Sequence, residues 1–259
     1  MIGNLVRVAA LQLNCSIGKD ALRERISEMV KEAKQKDAAI ICLPEHWIPC
    51  RRPDMKSLMN FLKTLAKENR INMITGADFY LEEKRTTVQS VVISRDGKIL
   101  GMQSKVHLFG REKLIAEPGN IYNLFNIEGI KTGIAICHDL VYPEVARIYA
   151  LKGAELVFSP AKITYEGLEP WHLYVKVRAL ENRIPIVSPN CCGSRFFRGG
   201  SLIVGLRSNR KGIVYPEILA EAGEKERVLV ADVDTESIRK YREERLAARR
   251  VDTYSQLTA

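Results

Sequence analysis

The stretch "GIAICHDLVYPEVARIYALKGAELVF" (residues 133–158) places Cys137, His138 and Asp139 between two apolar runs. Proline favours the first turn of a helix and glycine its end, so Pro143 and Gly153 bound a helix. The stretch therefore predicts three consecutive elements: a strand over 130–137, a helix over 143–152 and a strand over 155–159.

The same alternation extends in both directions along the chain. Apolar residues recur at helical spacing in some segments and form short continuous runs in others, and Asp96-Gly97 is a strong hairpin signal. About a dozen strands exceed what one sheet usually holds, which predicts an α/β protein with two stacked mixed sheets between helical layers. Further strands are expected at 5–13, 38–45, 71–77, 184–189, 200–206 and 226–233, and further helices at 19–36, around 58–65, 170–182 and 239–250.

Composition limits the classes of function. The 259 residues are 46% hydrophobic, which allows one large domain or two small ones, and the uninterrupted alternation of elements favours a single domain over 1–259. The sequence contains no long apolar run or leader pattern, so no membrane association and a cytoplasmic location are expected. The six cysteines lack C-x-x-C spacing and the four histidines lack metal-ligand spacing, so reduced thiols and no metal are expected. The net charge of +9 is interleaved with acids, and the basic segment 239–250 is predicted to be a solvated helix face, not a nucleic-acid site.

Cys137 has two interpretations. At a strand-to-helix turn, the helix N-terminus favours a thiolate, and turn amides stabilise an oxyanion. The alternative is a small buried hydrophobic residue, as free cysteines commonly are. His138 is a weak candidate base for its neighbour, because adjacent side chains at a strand end point to opposite sides.

Thiol attack on an amide or nitrile requires a base and a cation for the developing negative charge. Glu45 follows one buried strand and Lys105 ends a hairpin strand, where either charge alone would be costly to bury. Taken singly, each residue is better explained as a surface charge: Glu45 at the end of its strand and Lys105 as an exposed hairpin lysine.

The combination of motifs resembles the carbon–nitrogen hydrolase family, also called the nitrilase superfamily, over nearly the whole chain. The motifs that carry the resemblance are "LPE" (43–45), "KVHLF" (105–109), "REKLIAEPG" (111–119) and "CHDLVYPEVAR" (137–147), supported by "KGAELVFSPA" (152–161), "RALEN" (178–182) and "GGSLIV" (199–204).

The resemblance implies a Glu45–Lys105–Cys137 triad. Glu45 would be the general base, Lys105 would stabilise the oxyanion, and Cys137 would form a thioester, without metal or cofactor. Glu112 matches a further family glutamate that orients substrate and assists the base, with a surface salt bridge as its alternative.

The resemblance also implies a four-layer α-β-β-α sandwich that forms homodimers or higher homo-oligomers, with residues 240–259 a helix and tail at the dimer interface. His138, Lys162 and Asn190 are expected to line the substrate pocket, and Cys191 and Cys192 to be packing residues. Asp139 and Glu144 are expected to fix the turn and the helix start.

Family branches hydrolyse nitriles, amides, ω-amides and N-carbamoyl compounds. Asp139 is typical of amidase branches, whereas classical nitrilases carry glutamate at that position, so a small amide or N-carbamoyl substrate is expected. The alternatives are a nitrilase and a catalytically silent binding protein of the same fold.

Overall fold

The computed structural model describes residues 5–48, 54–82 and 85–258; of Glu82 and Thr258 it describes the backbone alone. Cys50, one of the six cysteines, lies outside the described residues. Within the described ranges there are fourteen strands and six α-helices.

In chain order the strands are β1 (Leu5–Asn14), β2 (Ile40–Cys42), β3 (Asn72–Ile74), β4 (Asp78–Glu82), β5 (Arg85–Ile93), β6 (Ile99–Ser104), β7 (Leu124–Ile127), β8 (Ile130–Ile134), β9 (Leu156–Phe158), β10 (Ile186–Ser188), β11 (Cys191–Cys192), β12 (Leu202–Ser208), β13 (Val214–Glu221) and β14 (Arg227–Asp234). The helices are α1 (Lys19–Gln35), α2 (Met55–Glu68), α3 (Glu112–Ile115), α4 (Pro143–Leu151), α5 (Leu168–Asn182) and α6 (Arg239–Ala247).

Two mixed sheets form the centre of the fold. The eight-stranded sheet runs β11-β1-β2-β3-β5-β4, with β14 paired to β1 and β6 paired to β5; the six-stranded sheet runs β13-β12-β10-β9-β8-β7. Strands β1, β2 and β3 are parallel, as are β8, β9 and β10, whereas the hairpin strands add antiparallel edges. The carboxyl ends of both parallel groups therefore carry the residues that follow β2, β8 and β9.

Helices cover the outer face of each sheet. Buried residues of α1 and α2, such as Ile26 and Leu62, pack on the eight-stranded sheet, and those of α4 and α5, such as Tyr149 and Val175, pack on the six-stranded sheet. Val8 and Ile40 from one sheet share a cluster with Ile134 and Phe158 from the other, so the sheets face each other across an apolar core. The expectation of a four-layer α-β-β-α arrangement with two mixed sheets is confirmed.

Local patterns predicted the long elements well, but they missed four strands: β4, β7, β11 and β13. Each is short or partly exposed, and β13 contains Pro216 and alternates only weakly between buried and exposed residues. Strand β8 ends at Ile134, so the expectation that Cys137 closes this strand was wrong. No helix within the described residues is long and apolar enough to span a membrane.

Candidate active site

The carboxyl-terminal edges of the two sheets meet at one cavity of about 490 Å³. Glu45 lies three residues beyond β2, Lys105 directly follows β6, and Cys137 lies three residues beyond β8. Both sheets thus contribute to the lining, and the structure brings together the three residues that the motifs single out.

Cys137 begins a short 3₁₀ turn that ends at Val141, and its backbone φ of 45° is in the left-handed region. A non-glycine residue in this region is uncommon and costs energy, so its neighbours must hold it there. The Cys137 amide donates to Pro160 O (2.9 Å), and Asp139 accepts hydrogen bonds from the amides of Ile136 (3.1 Å) and His107 (2.7 Å). Asp139 therefore fixes the turn that presents the thiol, as expected from the sequence.

The Cys137 side chain lines the cavity but is only 8% exposed. Burial raises the pKa of the thiol well above its usual value, and the neighbouring Glu45 carboxylate raises it further, although the Lys105 charge opposes the rise. The helix N-terminus was expected to favour the thiolate, whereas burial beside Glu45 favours the protonated thiol, so that attack requires a base. Glu45 lies within hydrogen-bonding reach of the thiol proton.

Lys105 joins the two glutamates of the site. Its Nζ donates to Glu45 Oε1 at 2.7 Å and to Glu112 Oε1 at 2.8 Å, and its side chain is 1% exposed. Burial on its own would lower the pKa of Lys105, but the charges of Glu45 and Glu112 outweigh it and raise the pKa. Lys105 is thus a fixed cation beside the thiol.

Glu112 is buried at the start of α3, so the alternative of a surface salt bridge was wrong. It accepts hydrogen bonds from Lys105 Nζ, from His46 Nε2 (2.8 Å) and from the Phe109 amide (2.7 Å). Burial opposes ionisation, but the bond from His46 and the charge of Lys105 lower the pKa of Glu112 to about 2. Glu112 is therefore a carboxylate at neutral pH.

His46 is a site residue that the sequence analysis did not single out. The oxygen and nitrogen atoms of Glu45, His46 and Glu112 lie within 4.8 Å of one another, a spacing that a metal ion could bridge. The Lys105 ammonium already donates to both carboxylates and neutralises the charge that would attract an ion, so we assign no metal site there.

Away from the charged cluster the cavity is predominantly apolar. Arg111 is an exposed cation at its rim, while Lys162 donates to the His46 carbonyl at 2.6 Å and lies over the Phe197 ring. The apolar and aromatic lining residues are Phe79, Phe109, Val141, Ile163, Pro170, Trp171, Tyr174 and Phe197.

Two of the three residues expected to line the pocket do so. His138 and Lys162 line the cavity; burial and the nearby Lys105 charge lower the pKa of His138. Asn190 does not line it: its amide is completely engaged with the backbone of Ile163, Cys191 and Gly199. Asn190 therefore cross-links the segments behind the pocket, and its expected contact with substrate was wrong.

The two cysteines that directly follow Asn190 are also buried. Cys191 and Cys192 are packed at the edge of the eight-stranded sheet and, with Cys15, Cys42 and Cys137, are free thiols. The Cys191 sulfur lies 2.6 Å from that of Cys15 and 3.6 Å from the Glu45 carbonyl oxygen. Trp171 belongs to the core and donates to Ser188 Oγ at 3.0 Å.

Comparisons with known proteins agree with the geometry. Residues 7–243 match the family model described as carbon-nitrogen hydrolase. The chain is 27% identical to the 2-oxoglutaramate amidase of Bacillus subtilis (91% of this chain, 93% of the relative) and 29% identical to a nitrilase of Pyrococcus abyssi (92% and 93%). A solved carbon-nitrogen hydrolase from Helicobacter pylori has the same fold, with a TM-score of 0.83 at 24% identity and coverage of 98% of both chains. The resemblance noted in the sequence is confirmed, and the chain belongs to the carbon–nitrogen hydrolase family.

Proposed function

We propose that the protein hydrolyses small linear amides or N-carbamoyl compounds that carry a predominantly apolar acyl group, with Cys137 as the nucleophile. The observation that carries the proposal is the convergence of the Cys137 thiol, the Glu45 carboxylate and the Lys105 ammonium at one end of an otherwise apolar cavity.

In this mechanism Glu45 takes the proton from the thiol as the sulfur attacks the carbonyl carbon. The oxygen of the tetrahedral adduct becomes negative beside Lys105, whose ammonium is already fixed and needs no reorganisation. The C–N bond then breaks, Glu45 returns the proton to the leaving nitrogen, and ammonia or an amine departs. A thioester remains on Cys137.

Water completes the cycle. Glu45 takes a proton from water, the resulting hydroxide attacks the thioester, and Lys105 again faces the oxyanion. The C–S bond breaks, the acid is released, and the thiol regains its proton. Each proton that Glu45 accepts is returned within the same half-reaction, which suits a buried base.

The lining supports an apolar acyl group because burying it against Phe79, Phe109 and Trp171 releases water from both surfaces. A second candidate is an ω-amide, whose distal carboxylate would meet the guanidinium of Arg111 at the rim. The relative from Bacillus subtilis named above as a 2-oxoglutaramate amidase favours this candidate.

The test is an ammonia-release screen over apolar amides, ω-amides, N-carbamoyl compounds and nitriles of matched length. We expect activity on apolar amides, its loss in Cys137→Ala, and the acyl mass on the wild-type protein after rapid quenching. Cys15→Ala, which removes a thiol outside the pocket, is the matched control and retains activity.

Release of ammonia by Cys137→Ala at the wild-type rate would refute the thiol mechanism. A preference for ω-amides that disappears in Arg111→Met would instead replace the apolar acyl group with the second candidate.

We further propose that the protein forms a homodimer and is located in the cytoplasm. A homodimer is supported by the C-terminal segment after α6, where Val251, Tyr254 and Leu257 expose apolar side chains. The free thiols support a reducing, cytoplasmic compartment. Light scattering coupled to gel filtration tests the assembly: a monomeric mass at micromolar concentration contradicts it.

A further inference from the structure

His46 directly follows Glu45 and has a left-handed backbone, with φ of 43°. Hydrogen bonds hold this conformation from both sides, since its amide donates to Ala77 O at 2.7 Å and its carbonyl accepts from Lys162 Nζ at 2.6 Å. With the backbone held in this way, the imidazole lies between Glu112 and Asp78.

Both ring nitrogens of His46 face carboxylates. Nε2 lies 2.8 Å from Glu112 Oε1 and Nδ1 lies 3.4 Å from Asp78 Oδ1, while the ring stacks on Phe79 at 4.7 Å. A neutral imidazole has one donor and one acceptor nitrogen, so it would turn a lone pair against one of these oxygens. The doubly protonated ring donates to both.

The charges around the ring also favour its doubly protonated form. Glu45, Asp78 and Glu112 are buried carboxylates, and Lys105 neutralises one charge among them. Two further titratable groups lie nearby: Lys162 donates a hydrogen bond to the His46 carbonyl oxygen, and the Cys137 thiol neighbours Glu45. Among the described residues, His46 is the basic group within ion-pair distance of Asp78.

We propose that His46, as an imidazolium, is a positioning residue that holds the Glu112 carboxylate in contact with Lys105 during the reaction. The proposal rests on the function proposed above, because it concerns how the charged cluster is kept in place for thiol chemistry. His46 acts through Glu112 and does not touch the reacting atoms.

The contacts explain why a cation is needed there. Glu112 accepts from three donors: His46 and Lys105 both donate to Oε1, and the Phe109 amide donates to Oε2. Without His46, the oxygen that Lys105 contacts loses one of its two cationic donors, and the carboxylate is held less firmly against Lys105. Consistent with this geometry, burial lowers the pKa of His46, but the bonds to Asp78 and Glu112 outweigh burial and raise it to about 10.

The main test is the pH dependence of kcat/KM in His46→Gln, which keeps a donor of similar reach but carries no charge. We expect kcat to fall by about tenfold or more with little change in KM, and the acid limb to move up by about one pH unit. The limb moves up because Glu112 without its neighbouring cation takes up a proton more readily. An unshifted acid limb would overturn the proposal, whatever happens to kcat.

His172→Gln is the matched control. His172 has a side-chain exposure of 18% against 21% for His46, and its Nε2 contacts the carbonyl of Gly200, outside the cavity lining. The control retains the wild-type pH profile. A shift of similar size in this variant would mean that the effect is not specific to His46, and would overturn the proposal.

Asp78→Asn provides a second variant should His46→Gln fail to fold. Removing the carboxylate beside Nδ1 makes the imidazolium easier to deprotonate, so the alkaline limb of kcat/KM moves to lower pH. The double variant that combines His46→Gln with Asp78→Asn should be no less active than His46→Gln alone, since both changes act on one network. Additive losses would overturn the proposal.

A measurement without turnover separates this proposal from the proposed function. In Cys137→Ala protein, nitrogen NMR of the four histidines should show both ring nitrogens of His46 protonated at pH 8, with the signal assigned by its loss in His46→Gln. A neutral His46 ring would overturn the proposal even if the enzyme proves active. A protonated ring in a protein without Cys137-dependent activity would overturn only the proposed function.

Discussion

The Lys105 ammonium donates a 2.7 Å hydrogen bond to Glu45, and the two side chains are 1% and 3% exposed. Each charge would be unfavourable in this position alone, since a buried ion without a partner costs several kcal/mol. The pair makes each burial tolerable, and in the proposed mechanism it supplies both the base and the oxyanion-stabilising cation.

Replacing Lys105 by Met is expected to lower kcat/KM by about 100-fold or more, because the oxyanion loses its cation. The free energy of unfolding should fall by roughly 3–5 kcal/mol, because Glu45 becomes an unpaired buried charge and Glu112 keeps only His46 as a cationic partner. Steady-state kinetics and urea unfolding measure the two effects. Lys98→Met, an exposed lysine in the same hairpin, should change neither, and an active Lys105→Met enzyme would exclude the assigned role.

Replacing Glu112 by Gln removes its charge but keeps its shape. We expect kcat to fall by about 100-fold, with folding retained, because Lys105 loses one of its two carboxylate partners. The matched control is Glu117→Gln, which lies five residues on and pairs with Arg85 at the surface. Equal activity of the two variants would show that Glu112 is structural only.

The stability of the protein should depend on pH at both ends of the range. The pKa of His46 is raised from 6.5 to about 10, so its stabilising contribution is complete below pH 6.5 and is lost as pH rises through 10. The pKa of Glu112 is lowered from 4.5 to about 2, so its contribution is complete above pH 4.5 and is lost as pH falls through 2.

Thermal melts of wild-type protein, His46→Gln and Glu112→Gln across pH 2–10 measure these contributions. In His46→Gln, the melting temperature should fall less steeply with rising pH at the alkaline end than it does in wild type. In Glu112→Gln, it should fall less steeply with falling pH at the acid end. Identical slopes in wild type and variants would contradict the charge states assigned to the two residues.

Gly76 supports the backbone that carries Glu45. Its φ is 74°, and a Cβ built there would lie 1.9 Å from Pro44 O, directly before Glu45. Gly76→Ala should therefore displace the Glu45 segment and lower both activity and the melting temperature. Gly129→Ala is the matched control: its φ of 85° imposes the same backbone strain, about 1 kcal/mol, but a Cβ there meets nothing within 4 Å. Comparable effects of the two changes would refute the steric explanation.

Cys15 and Cys191 should form a disulfide under a thiol oxidant. Their sulfurs are 2.6 Å apart, so a movement of about 0.5 Å brings them to bonding distance. The two thiols lose two hydrogens to the oxidant, which is reduced. In Cys137→Ala protein treated with diamide, we expect a mass loss of about 2 Da that dithiothreitol reverses and a melting temperature higher by roughly 5 °C or more.

Cys15→Ser in the same Cys137→Ala background is the control for this oxidation, and it should show neither change. If the disulfide still formed in the control, a different pair of cysteines would be responsible.

Local sequence patterns were sufficient for much of this structure. Helices α1 and α4 and the β5–β6 hairpin were predicted within a few residues, because their apolar spacing, Pro143 and Asp96-Gly97 act on neighbouring residues. Strands β4, β7 and β13 were missed since their pairing partners, not their own composition, make them strands. Motif order identified the family and named Glu45, Lys105 and Cys137 before any contact was known.

What only the tertiary structure decided was the environment of those side chains. The spacing of the motifs does not show that Cys137 is buried, that the Asn190 amide is fully hydrogen-bonded to the backbone, or that His46 bridges Asp78 and Glu112. Desolvation and charge pairing depend on groups that approach from distant chain positions, such as His46 and Glu112, which are 66 residues apart. The sequence by itself therefore determined the order of elements and the chemistry available at the strand ends, whereas folding determined which charges meet and which protons are held, because these depend on distance and burial.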